Sequence, residues 1–136
     1  MSKTRIVAAC LLLGLLSAGC GSNMIKAKGR VVKGGQPFVP GEGEGLRIFF
    51  VPAVSPVDRY DSYIAVFNKD DSSFVVVGKD GQGLPPGNYR VSLELMKQKS
   101  DQFNSKYTGM RSPFTVEVNR ANKELVIDLD TEGGKG

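Results

Sequence analysis

Apolar and polar residues alternate with a period of two along most of the chain, the signature of strands that bury one face. Over residues 24–33, Ile25, Ala27, Gly29 and Val31 fall on one side and Lys26, Lys28 and Arg30 on the other. Leu46, Ile48 and Phe50 form the apolar side of a second strand closed by Pro52, and a third strand is predicted from about Tyr60 to Phe67. Residues 74–77 (Phe-Val-Val-Val) are apolar on both sides, which predicts a central strand covered on both faces. The clearest alternation sets Tyr89, Val91, Leu93 and Leu95 against Arg90, Ser92 and Glu94. The pattern returns at Phe114, Val116 and Val118, and again at Leu125, Ile127 and Leu129.

Residues 33–37, 68–72 and 79–83 carry the Gly, Asn, Asp and Pro that turns require. Residues 98–111 form a long polar loop with Phe103 and Tyr107 in it, with room for a turn of helix. Seven short strands without an amphipathic helix predict an all-β domain over residues 24–130, built as a sandwich because each one-faced sheet must bury its apolar side. The polar, glycine-rich residues 131–136 are expected to be a disordered tail.

Residues 1–20 break the alternation. Lys3 and Arg5 precede an unbroken apolar run from Ile6 to Leu16, which ends in Ser17-Ala18-Gly19-Cys20. Charge, apolar run and small residues are the three parts of an export signal, and the run is shorter than the roughly 20 residues that span a bilayer. Residues 1–19 are therefore expected to be a signal peptide and residues 20–23 a short tether. This changes the reading of charge. The formal +4 falls to about +2 once Lys3 and Arg5 leave, with 16 basic and 14 acidic side chains and no basic run, so nucleic acid is not an expected partner. Cys10 would leave with the signal and Cys20 would become the first residue, so no disulfide is expected.

Histidine is absent from the whole chain. That removes the usual general base, the Ser-His-Asp and Cys-His arrangements and most zinc sites. The expected protein is non-enzymatic, with no catalytic residue, no metal and no cofactor. Asp58, Asp61, Asp70, Asp71 and Asp80 lie in turns without calcium-loop spacing and read as solvated loop acids. Tyr63 and Phe67 share one strand face while Tyr60 lies opposite, which favours core or rim packing over a sugar-binding platform. A lysine–asparagine isopeptide bond through Asn119 or Asn122 would need a buried lysine, and the lysines fall on the polar face.

Ser17-Ala18-Gly19-Cys20 resembles the lipobox of bacterial lipoproteins, with Leu16 one position further from the cysteine than in the commonest pattern. The resemblance implies diacylation of Cys20, palmitate-type acyl chains at the N-terminus and a lipid anchor in the cell envelope. Gly21 stands where some bacteria use Asp for inner-membrane retention, which favours the outer membrane.

Gly83-Leu84-Pro85-Pro86-Gly87-Asn88-Tyr89-Arg90-Val91 resembles the L-x-P-G-x-Y-x-V element of carboxypeptidase-regulatory-like domains. Gly29-Arg30-Val31, Gly35-Gln36-Pro37 and Ile48-Phe49-Phe50-Val51-Pro52 resemble the first two strands of such domains, and residues 106–118 are similar to the end of small planctomycete-type lipoproteins. The family often has Asp-Gly before the Phe of its fourth strand, where this chain has Asp71-Ser72-Ser73. The likeness implies a seven-stranded Greek-key sandwich of transthyretin-like (prealbumin-like) fold. Its motifs specify strands and turns rather than chemistry. The expected role is a structural or protein-interaction module at the envelope; a carbohydrate- or peptide-binding accessory domain and a secreted domain without lipid are the alternatives.

Overall fold

The alternating stretches form strands in the computed structural model, which describes residues 23–53 and 62–131; the first, expected over 24–33, is a strand only from Lys28, with Ile25 ahead of it in an isolated bridge. The strands are β1 (Lys28–Lys33), β2 (Gln36–Pro37), β3 (Glu44–Pro52), β4 (Tyr63–Asn68), β5 (Ser73–Val76), β6 (Gly87–Lys97), β7 (Ser100–Asp101), β8 (Thr115–Val118) and β9 (Glu124–Asp128). One 3₁₀ turn, Gly109–Arg111, interrupts the loop before β8. The protein is thus all-β across the described residues, as the alternation predicts. The two-residue strands β2 and β7 are additions that no periodicity could announce, since each is the return arm of a tight turn.

All nine strands join one curled sheet in the order β2-β1-β5-β4-β3-β6-β7, with β8 on β6 and β9 on β1. Pairing is antiparallel except between β1 and β9, which run parallel from Lys28↔Glu124 to Val32↔Asp128. The apolar side of every long strand turns inward. Val31, Ile48, Phe50, Val76, Val91, Leu93 and Val118 have no accessible surface, and with Phe74 and Ile127 they meet in one core. Each such side chain stabilises the fold by about 1.5–3 kcal/mol relative to exposure. Phe50 on β3 meets Phe74 on β5 with ring centroids 5.9 Å apart, so opposite parts of the curl close on each other.

β4 changes partner midway. It pairs with β3 only at Ile48–Phe50 and then runs with β5 from Ala65 to Asn68, so β3 and β4 separate beyond Ile48. The sheet bends at this seam into one part built on β3, β6 and β8 and another on β1, β5 and β9.

Two expectations need correction. Residues 74–77 do not form a strand covered on both faces: Phe74 and Val76 are buried, but Val75 is 41% exposed because no described element packs on the outer side of β5. The third strand begins at Tyr63 in the described chain; Tyr60 lies outside the described residues, as do 1–22 and 132–136.

Candidate functional site

Cys20, the residue whose chemistry the sequence singles out, lies outside the described residues, just ahead of Asn23. The chain that leads from it enters the fold at once. Ile25 is buried and bridges Leu84, with main-chain hydrogen bonds of 2.8 and 3.0 Å in the two directions. Gly83 makes this possible. Its φ is +96°, and a Cβ there would overlap the carbonyl of Ile25, so only glycine lets the two segments touch.

The proline–glycine element after Leu84 serves the core. Tyr89 is 3% exposed and donates its hydroxyl hydrogen to the Pro85 carbonyl at 2.5 Å, while its ring meets Tyr63 edge-on at 5.9 Å. Burial, and secondarily Tyr63, pushes the Tyr89 hydroxyl up to about 12.

The other sequence candidates are engaged in structure. Tyr63 and Phe67 are half-buried against the core. Asp71 accepts the Ser73 hydroxyl at 2.5 Å and the Ser73 N–H at 3.0 Å; these bonds, with Arg30 nearby, hold its carboxyl below the usual carboxylate range. Asn68 accepts the Asp70 N–H at 2.9 Å, closing the same turn. Asp80 is exposed in the turn before Gly81, while Asp58 and Asp61 lie outside the described residues. Asn119 accepts N–H groups from Ala121 and Asn122, and Asn122 donates to the Glu117 carbonyl, so both asparagines close the turn between β8 and β9. Among the described residues, no three His, Cys, Asp or Glu side chains converge as metal ligands.

Polar side chains that the periodicity did not single out hold the long loop against β6. Asp101 accepts main-chain N–H groups from Leu95 at 2.9 Å, Phe103 at 3.0 Å and Ser105 at 2.9 Å. Arg90 donates to the carbonyls of Ser112 at 2.8 Å and Met110 at 3.3 Å, and the buried Ser112 hydroxyl donates to the Val91 carbonyl. With main-chain bonds from Val91 to Phe114 and from Leu93 to Tyr107, the loop closes the edge of β6 and carries Tyr107 and Phe114 into the core. The one available signal was an acid, or a serine beside a proline, within a loop rich in aromatics, which is too common to single out a residue.

Among the described residues, nothing packs on the outer face of β4, β5, β1 and β9. A groove of about 490 Å³ runs along β1, with Val75 and Val126 as walls and Lys28 and Arg30 projecting from its floor strand. Gly29 is needed at its base, because a Cβ there would overlap the Leu125 carbonyl and the Phe74 ring on the core side. Lys28 pairs with Glu124 at 3.4 Å. A second cleft of about 410 Å³ marks the seam where β3 and β4 part, with Arg47, Phe49, Ile64 and Val66 among its lining residues.

Comparison with known proteins adds little to this geometry. No family model matches the chain, and no solved structure matches it. A 50-residue stretch, 36% of this chain, is 36% identical to part of a UPF0262 protein of Paracoccus denitrificans; the match spans 31% of that protein's length.

Proposed function

We propose that this chain is a non-enzymatic lipoprotein of the cell envelope, anchored through acylated Cys20 and displaying its β-domain as a structural or protein-interaction module. The observation that carries the reading is the ordered succession of Lys3 and Arg5, the apolar run to Leu16 and Ser17-Ala18-Gly19-Cys20, followed almost immediately by the core residue Ile25. About four residues of tether, at roughly 3.3–3.6 Å each, reach about 15 Å. The domain then sits close to the bilayer, with the outer membrane favoured by Gly21. Several acyl chains, each contributing about 0.8 kcal/mol per buried methylene, hold such a domain where a single chain would exchange freely.

In fold, the seam at β4 and the two parts it joins support a Greek-key sandwich of the transthyretin-like kind, with Tyr89 in the role that the Leu84-to-Val91 resemblance gives it. The non-enzymatic reading is supported by how the buried polar groups are used. Among the described residues, Ser72, Ser92 and Ser112 are buried, and each is hydrogen-bonded to backbone. A glycan-binding role has less support, because Tyr63 and Phe67 pack against the core. Fractionation tests the anchor: the wild-type chain should stay with membranes through an alkaline carbonate wash, and Cys20→Ala should be released or accumulate uncleaved. A Cys20→Ala chain that is processed and retained like wild type would contradict the proposal.

A further inference from the structure

The edge of β6 is closed by the segment from Ser100 to Phe114, which bonds its main-chain groups, whereas among the described residues nothing packs on the outer face of β4, β5, β1 and β9. Register makes the bare face continuous: Val66 lies opposite Val75, Val75 opposite Lys28, Lys28 opposite Glu124, and Arg30 opposite Val126. Ile64 is 50% exposed, Val66 59% and Val126 68%, an apolar exposure that a solvated face of a half-buried sheet does not need. Lys26, Lys28 and Arg30 project from β1 and its approach among these side chains; the acid facing Lys28 is Glu124, and Asp71 lies near Arg30.

We propose that this face lies on a lipid surface, its valines and isoleucine at the headgroup boundary and its three cations on anionic headgroups. The inference rests on the anchored reading above, and the chain itself selects the occupant. The strand that follows the tether is β1, the strand that carries the cations. The roughly 15 Å of tether therefore keeps the start of β1 close to the bilayer. Interleaved cations and exposed aliphatic side chains are what an anionic interface recognises, through Coulomb attraction and apolar burial together.

The test uses residues 20–136 with Cys20→Ser, which keeps every core residue and removes the anchor, so binding reports the face alone. The probes are vesicles of 30% phosphatidylglycerol in phosphatidylcholine, and of phosphatidylcholine alone. Salt-sensitive binding to the first and much weaker binding to the second is expected. Each cation contributes about fivefold, so Lys26→Glu with Arg30→Glu should weaken binding by at least tenfold. Val66→Ser with Val126→Ser should weaken it severalfold, and Met110→Ser, 85% exposed in the 3₁₀ turn before β8 and outside this face, should leave it unchanged. No binding to the anionic vesicles, binding indifferent to the β1 and valine changes, or a dimer dispersed by Val126→Ser would overturn the proposal. An unmodified Cys20 in cells, with these vesicle results intact, would overturn the anchor and leave the face assigned.

Discussion

At the scale of single residues, the fold depends on a few positions where one atom more or less matters. Gly83→Ala should cost several kcal/mol, since the added methyl meets the Ile25 backbone, which cannot yield without opening the Ile25–Leu84 bridge. Denaturant unfolding would check it, and a variant as stable as wild type would refute the close approach. Tyr89→Phe leaves the Pro85 carbonyl without its donor and should cost about 1 kcal/mol. It should also alter the alkaline limb of stability. The Tyr89 hydroxyl ionises near 12 in the fold and near 10 unfolded, so the folded state holds its proton more tightly. That contribution is complete below pH 10 and is lost as pH rises from about 10 to 12. Melting temperatures measured across this range should fall more steeply for wild type than for Tyr89→Phe.

Among the elements, legibility in the sequence follows the strength of the period. β3 pairs with β6 over its full length, from Glu44↔Lys97 to Pro52↔Tyr89, and the alternation in both is clear because each buries one face. β5 misled because four apolar residues in a row cannot say whether both faces are covered; that depends on whether another element packs outside, a tertiary fact. The parallel pairing of β9 with β1 was invisible for a similar reason, since the alternation fixes which face of a strand is buried and not which neighbour it takes. The segment that closes the edge of β6 was missed because it bonds without strand periodicity, through main-chain groups and through Asp101, which collects three N–H groups. Asp101→Ala should therefore cost about 1.5–3 kcal/mol, with faster amide exchange concentrated at Leu95, Phe103 and Ser105. Unchanged exchange at those three amides would remove Asp101 from this role.

For the molecule as a whole, the inner side of the sheet was legible in the sequence and the outer side was not. The core could be read from residues 25 to 129 because burial leaves a periodic trace, and nearly every apolar position named from the pattern lies inside. The bare outer face could not be read, because Ile64, Val66, Val75 and Val126 look like ordinary strand residues until the register sets them side by side. The proposed role turns on Cys20, the residue that would join that domain to a membrane. The most direct measurement is the intact mass and N-terminal peptide of the chain recovered from cell membranes. The account predicts that residues 1–19 are absent and that residue 20 is an S-diacylglyceryl cysteine, with or without a further N-acyl chain. A free thiol at Cys20, or a mature chain that begins anywhere else, would contradict it.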